Sequence, residues 1–374
     1  SQRGRVMGGI EVVRMRILFN VAHPAQVHLF RNALQTLMDH GHECRITAIN
    51  KEVSLKLLDS FGFDYDAIGR ARPTPFGKGL ELLRIDAKLL QIARSFHPDL
   101  LVGGVGNAYV AHVGKLIRKP SIIFDDTEHA AIQHHLTDPF VSAICTPSCY
   151  TKDLGEKQVR YNGYHELAYL HPNRFTPDPA VLTELDLAEG DPFIIVRFVS
   201  WDANHDIGHT GLTLDNKQKM IHEFEKYGRV FITSEKPLPE EFEKYRISVS
   251  PEKMHDLLYY ATLLYGESAT MASECAVLGT HAIFCDFAGR GYTDEEERDY
   301  NLVYNFKLDE SSQENSIEKA VELLQDPALK TKGREKQKRL LNDKIDVTAF
   351  MVWFIENYPQ SVVAMKNNPQ KRFT

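Results

Sequence analysis

From Met15 onward the chain alternates short apolar runs with longer segments of helical period, and it does so in two rounds. The first round holds RILFNV, CRITAI, YDAIG, DLLVGG, SIIF and AICTP, with amphipathic segments such as QVHLFRNALQTLMDHG between them. Extended runs joined by helix-length spacers form βαβ units, hence a parallel sheet with right-handed crossovers. The second round holds FIIVRFV, RVFIT, YRISV, TLLYG and HAIFCDF, with helices expected near 215–227, at KMHDLLYYA and after TLLYG. Between about 160 and 192 the rhythm breaks, where HPNRFTPDP and AEGDP concentrate Pro, Gly and Asp.

These patterns predict an α/β chain of two Rossmann-like domains with parallel sheets facing an interdomain cleft. The expected division is an extension over 1–14, a first domain over 15–165, a linker over 166–192 and a second domain over 193–345. Over 346–374, IDVTAFMVWFIENY carries a wide apolar face suited to crossing back onto the first domain, and MKNNPQKRFT reads as a frayed tail. A length of 374 residues fits two domains.

A net charge of −7 argues against a nucleic-acid partner, which needs a broad basic face. No apolar run approaches the roughly 20 residues that span a bilayer. Residues 1–14 lack the apolar core of a secretory signal. The five cysteines are scattered, and Cys145 and Cys149 have no second pair to complete a zinc site. A reducing cytoplasm is the expected setting. Cys44, Cys275 and Cys285 lie in apolar runs and read as small core residues.

In open parallel sheets, ligands bind beyond the carboxyl ends of strands. ESATMASECAVLG, from Glu267, is such a strand-to-helix junction. Ser268 or Thr270 can cap the helix, and neighbouring backbone N–H groups then suit an anion such as a diphosphate. With Thr270 as cap, Glu274 falls about one turn in, within reach of a sugar hydroxyl. The plainer reading is a capped helix with an acid favouring its dipole.

The first domain's matching loop is NVAHPAQVHLF, where His23 and His28 bracket a helix start; a histidine there suits a general base or a donor to a sugar or phosphate, and the plainer reading is one surface histidine with the other packed under the helix. In FDDTEHA, Asp125, Asp126, Glu128 and His129 crowd a strand's end. Like charges this close shift one another's pKa, which suits acid–base work; a metal site is the competing reading, without further ligands that spacing can name, and an acidic helix start looks the same. RFVSWDANHDIGHTG holds Arg197, Trp201, Asp202, His205, Asp206 and His209; its glycines favour a loop touching substrate over a metal site. GRGYTDEEER places Arg290 where a guanidinium can meet phosphate, with DEEER otherwise a solvated helix start. The stretch 69–94 mixes basic and apolar residues, as a solvated helix or as a helix docking on an anionic membrane. Walker, GxGxxG, GxSxG and HExxH motifs do not occur.

Taken together, AHPAQVHLF, IIFDDTEHA, VRFVSWDANHD, FITSEKPLP, PEKMHDLLYYA, ESATMASECAVLGTHAIF, DFAGRGYTDEEE and KIDVTAFMVWFIENYP resemble the DUF354 family. That group is similar to GT-B glycosyltransferases and UDP-N-acetylglucosamine 2-epimerases, and the resemblance runs from Met15 to about Tyr358. It implies a nucleotide-sugar held mainly by the second domain, with Ser268 to Met271 on the diphosphate and Glu274 on the ribose. It also places a histidine, matching His28 or less closely His23, at the first domain's first loop. The epimerase likeness is partial. Glu128 and His205 fall where epimerases carry functional groups, but their HRREN pattern is replaced by FVSWDANHD.

The function implied is a cytoplasmic, metal-independent glycosyltransferase with no cofactor. It would take a UDP-sugar, an N-acetylhexosamine donor, for surface glycan synthesis. His28 or an acid near Glu128 would serve as base, with Arg290 easing departure of UDP. The acceptor would be a glycan or a lipid-linked sugar at the inner membrane face. An epimerase using Glu128 and His205, and a nucleotide-sugar-binding protein without catalysis, are the alternatives.

Overall fold

RILFNV forms the strand beside which the order of a seven-stranded parallel sheet reverses. The computed structural model describes residues 6–7, 10–11, 13–50, 52–70, 75–198, 214–234 and 237–373. Two compact units emerge, Ser1–Tyr169 with Ile345–Thr374, and Leu170–Lys344.

The first unit begins with a hairpin of β1 (Val6–Met7) and β2 (Ile10–Glu11). The βαβ succession follows as β3 (Arg16–Val21), α1 (Pro24–Asp39), β4 (Glu43–Asn50), α2 (Glu52–Ser60), β5 (Asp66–Arg70) and α3 (Pro75–Phe96). It continues through β6 (Leu100–Gly104), α4 (Ala108–Ile117), β7 (Ser121–Phe124), α5 (Ala131–Thr137), β8 (Ala143–Pro147), β9 (Gln158–Tyr161) and α6 (Leu167–Leu170). Strand order is β5-β4-β3-β6-β7-β8-β9, so the direction of winding switches between β3 and β6. Apolar faces of α3 and α4, including Ile85, Leu89, Val110 and Val113, close over Leu18, Leu101 and Ile123 of the sheet. β6, β7 and β8 are buried along their whole length. Their nearly unbroken apolar runs have that cause.

The second unit holds α7 (Ala180–Thr183), β10 (Phe193–Arg197), α8 (Leu214–Phe224), β11 (Arg229–Thr233), α9 (Met254–Tyr260), β12 (Leu263–Gly266) and α10 (Ala269–Leu278). After these come β13 (His281–Cys285), α11 (Gly291–Arg298), β14 (Val303–Phe306), α12 (Glu310–Leu324) and α13 (Leu329–Asp343). Its five strands are all parallel in the order β11-β10-β12-β13-β14, which puts the switch between β10 and β12. Ile194, Val196, Tyr265 and Ile283 meet Met220, Phe224 and Ala320 in one core.

The chain then returns to the first unit as α14 (Val347–Glu356) and α15 (Gln360–Asn367). Asp346 caps α14, accepting the Ala349 N–H at 3.0 Å, and Thr348 donates to the Ala168 carbonyl at 2.6 Å. Val347, Phe350, Met351, Phe354 and Ile355 are fully or nearly fully buried.

Two parallel sheets with helical crossovers are the α/β, GT-B-like architecture the alternation implies. Three local expectations fail. YRISV is not a strand: a 3-10 turn over Glu240–Tyr245 takes in its first residue, and only an isolated bridge joins Ile232 to Arg246. The tail is docked rather than frayed, since Phe373 packs on Phe350 and Trp353 and its carbonyl accepts the Asp346 N–H at 3.1 Å. DEEER is only partly solvated, because α11 packs against α10 and buries Glu295 and Glu296. Glu296 accepts from Ser273 at 2.6 Å, and Glu295 pairs with Lys344.

Candidate functional site

In the second unit the switch between β10 and β12 ends in Arg197 and Gly266, which face each other in register. A Cβ at Gly266 would collide with the Arg197 carbonyl, so glycine permits this close pairing. The Glu267 N–H donates to the same carbonyl at 2.9 Å. Ser268, not Thr270, is the helix cap: its extended backbone (φ −107°, ψ 109°) lets Oγ accept the Met271 N–H at 3.3 Å. Helix geometry leaves the Ala269 and Thr270 N–H groups without an intrahelical acceptor. Residues 268–271 are half-buried, whereas α10 is buried from Ala272 to Leu278. Small residues fill α10 because neighbouring elements enclose it, and its first turn is the part left open.

Glu274 stands four residues after Thr270, on the same face of α10 and leaning toward its N-terminus. It is buried, and its Oε1 lies 2.9 Å from His255 Nε2 of α9. His255 in turn meets Phe175 edge-on, with ring centroids 6.4 Å apart. The carboxylate is therefore held in one orientation by a partner inside its own unit.

Two cations accompany this helix end. Arg197 is the last residue of β10. Lys217, in the first turn of α8, is 5% exposed and places Nζ 4.7 Å from the centre of the Phe198 ring. Burial pushes the Lys217 ammonium below its usual pKa, while Glu267 works in the opposite direction. Arg290 behaves differently. As the cap residue of α11 it folds back on its loop, donating to the carbonyls of Ala288 at 2.9 Å and Gly289 at 3.2 Å and approaching Asp286 at 3.4 Å. His205 lies outside the described residues, as do Trp201, Asp202, Asp206 and His209.

In the first unit, the switch between β3 and β6 is braced by amides. Gln26 accepts the Ala22 N–H at 2.8 Å and donates to the Val105 carbonyl at 2.9 Å. Asn107 donates to the Asn20 carbonyl at 2.6 Å and to Gln26 at 3.1 Å. His23 caps α1, its Nδ1 accepting the Ala25 N–H at 3.2 Å. His28, one turn further on, is buried, its ring against Phe61 and Tyr169 with centroids 5.9 and 5.4 Å away. Of the two histidines, the exposed one is His23.

The acidic segment after β7 is more densely connected. Asp125 is 1% exposed, takes the Thr127 N–H at 2.8 Å and the Tyr150 hydroxyl at 3.1 Å, and lies 3.3 Å from His134. Burial outweighs these bonds and raises its pKa to about 6. Asp126 Oδ2 lies 3.1 Å from His165 Nδ1, and the Thr127 hydroxyl donates to Oδ1 at 3.0 Å. Burial works against the Asp126 anion, yet His165 and these bonds hold it below its ordinary value. On His165, burial disfavours the imidazolium, but Asp126, with Glu166 and Asp125 beyond it, raises the pKa above the usual histidine value. Glu128 is buried, and its Oε1 accepts the Thr151 N–H at 3.2 Å while Lys152 donates to its carbonyl at 2.6 Å.

The model of the family described as "Protein of unknown function (DUF354)" matches residues 15–356. This chain belongs to the DUF354 family. No functionally curated protein matches it. Among solved structures, it is similar to MnaA of S. aureus in complex with UDP (11% identity, TM-score 0.68, covering 93% of this chain and 98% of that one). It is also similar to the UDP-GlcNAc 2-epimerase of Neisseria meningitidis bound to UDP-GlcNAc (12%, 0.61, 94% and 100%). A third likeness is to SsfS6, a glycosyltransferase of Streptomyces sp. SF2575 (12%, 0.61, 92% and 100%). At these identities the likeness is one of fold.

Within the DUF354 chain, the second unit brings Arg197 to the helix end that carries Ser268, Ala269, Thr270 and Met271, and Glu274 lies within that helix. In the first unit, Asp126 and Glu128 flank Thr127, while His28 packs elsewhere on α1. Two residues with strong site character escape a sequence reading. Lys217 had a signal: with Met220, Ile221 and Phe224 it occupies the buried stripe of α8, an odd place for a lysine. His165 had none, because its partner lies 39 positions earlier, at Asp126. Among the described residues, no helix is long and apolar enough to cross a membrane.

Proposed function

We propose that this chain is a glycosyltransferase taking a UDP-sugar, with an N-acetylhexosamine as donor, and passing the sugar to a glycan or lipid-linked acceptor in surface polysaccharide synthesis. One observation carries the reading. The switch point of the second unit holds an open helix N-terminus with Arg197 beside it, while Lys217 is buried against Phe198 at the same strand ends. A diphosphate fits that combination: the Ala269 and Thr270 N–H groups meet its oxygens, and the cations offset its charge as it leaves. Glu274, oriented by His255, takes the ribose hydroxyls. The UDP and UDP-GlcNAc complexes among proteins of similar fold support the same ligand class. Arg290 joins the site only by releasing its own loop carbonyls.

Epimerisation at C2 is the second reading, favoured by three carboxylates, Asp125, Asp126 and Glu128, within four residues, one with a pKa raised to about 6. Proton abstraction beside a polarised bond needs such a group. The two readings separate when the protein is incubated with UDP-N-acetylglucosamine in heavy water without acceptor, and the sugar is followed by proton NMR. Transfer chemistry leaves the C2 proton in place, with slow release of UDP to water. Deuterium at C2 would replace it with the epimerase. A protein that binds neither UDP nor its sugar would end both.

A further inference from the structure

We propose that the outer face of α3, α4 and α5, within the first unit, docks on an anionic lipid surface. This rests on the transferase reading above for the lipid-linked acceptor that such docking would reach. The three helices pack side by side, and His112 of α4 ties them into one layer. Its Nδ1 lies 2.8 Å from Asp86 of α3, its Nε2 lies 2.8 Å from the Leu136 carbonyl of α5, and its ring meets Phe140 edge-on with centroids 5.2 Å apart.

The inner faces of α3 and α4 are spent on the sheet, through Ile85, Leu89, Val110 and Val113. The outward side of the layer carries large apolar side chains as well. Leu83 stands one turn before Asp86 and Leu116 one turn after His112, and each is 66% exposed. Ile132 is 74% exposed; Leu136, one turn on, and Phe140, just past the end of α5, are exposed too. Single exposed apolar residues are ordinary, whereas a group of them across adjoining helices marks a docking face. Among the described residues, the other exposed large apolar side chains, Val13, Val53, Phe287 and Val363, fall on four separate segments.

Charge decides the occupant. The chain has a net charge of −7, yet Arg84 and Arg94 of α3 and Lys115 and Arg118 at the end of α4 are all exposed in this layer. The acids between Leu83 and Lys119 are already engaged, Asp86 by His112 and Asp99 by Lys119 at 3.4 Å and the Arg16 N–H at 3.0 Å. Cations bordering exposed leucine, isoleucine and phenylalanine suit a headgroup region, where the apolar side chains leave water and the cations meet lipid phosphates. α5 starts at Ala131, directly after the acidic segment that follows β7. A docked layer therefore holds Asp125, Asp126 and Glu128 close to the lipid surface.

The test is sedimentation of the full chain with phosphatidylcholine vesicles, made with and without phosphatidylglycerol. Binding is expected to need phosphatidylglycerol and to weaken roughly tenfold or more as salt rises from about 0.05 to 0.5 M. Leu116→Glu combined with Ile132→Glu changes two exposed positions, so the fold should persist, and is expected to weaken binding roughly tenfold or more. Val363→Glu, the same kind of change on α15, should leave binding as it is. Arg84→Gln combined with Lys115→Gln should weaken binding and flatten its salt dependence. A wild type that ignores phosphatidylglycerol vesicles overturns the inference, as does a double glutamate variant that binds them like the wild type. So does a wild-type dimer in sedimentation velocity that the double glutamate variant dissolves, since the face then joins two copies of the chain. In each of these cases the transferase reading stands, because UDP binding and turnover of UDP-N-acetylglucosamine test it without lipid. Vesicle binding by a wild type that binds no UDP overturns that reading and leaves the docking face.

Discussion

His255 Nε2 lies 2.9 Å from Glu274 Oε1, both side chains are buried, and they come from consecutive helices of the second unit. The carboxylate that the family resemblance assigns to a ribose is thus positioned by an imidazole before any nucleotide arrives. Glu274→Ala removes both the fixed acceptor and the partner of a buried histidine. It should destabilise the protein by about 2 kcal/mol and weaken UDP binding by at least tenfold. Thermal melts and calorimetric titration with UDP measure the two effects. His255→Ala should weaken UDP binding less, because the carboxylate remains but is no longer held.

The Asp126–His165 pair makes stability depend on pH in a definite direction. Asp126 has a folded pKa below its ordinary 3.8, so its contribution is present above that value and is lost as pH falls through the lowered one. His165 has a folded pKa above its ordinary 6.5, so its contribution is full below 6.5 and is lost as pH rises through the raised one. The difference in melting temperature between wild type and Asp126→Asn should therefore be largest between those two ordinary values. It should shrink on either side, by an amount worth about 1–3 kcal/mol for a charge-assisted bond.

Glu356, at the end of α14, meets His40 at 2.6 Å and His42 at 3.1 Å within the first unit. Burial works against its anion, but the hydrogen bonds from His42 and His40 bring its pKa below the ordinary 4.5. Its contribution is present above 4.5 and is lost as pH falls through the lowered value. Glu356→Gln should cost about 1 kcal/mol near neutral pH and nothing once the wild-type carboxyl is protonated. Denaturant midpoints at the two pH values provide the check.

Most strands were legible because parallel strands buried on both faces read as short apolar runs, as in RILFNV, SIIF and HAIFC. QVRY, the edge strand β9, was not, since Gln158 and Arg160 give it no apolar run. YRISV looked like a strand because it is rich in β-branched residues, but Pro239 and Pro251 bound a segment that pairs only at one bridge. The helix end at Ser268 was legible from its small polar composition, although Ser268 rather than Thr270 is the cap. The cap is decided by backbone angles that composition does not encode. DEEER read as solvent-facing from charge alone, while Glu295 and Glu296 find Lys344 and Ser273 across distances in sequence that no local pattern spans. His165 was missed for the same reason.

On the proposed function, the second unit binds a nucleoside diphosphate at the α10 end with help from Lys217. Titration calorimetry of UDP into the wild type and into Lys217→Met tests it most directly. Methionine keeps an unbranched apolar stem on the buried stripe that Lys217 shares with Met220 and Phe224, and burial already disfavours the ammonium, so the fold should hold or gain slightly. Removing the charge should weaken UDP binding by roughly 10- to 100-fold, as for loss of one charge-assisted contact, with less salt dependence than the wild type. Equal affinities for UDP in wild type and variant, with the same salt dependence, would contradict it.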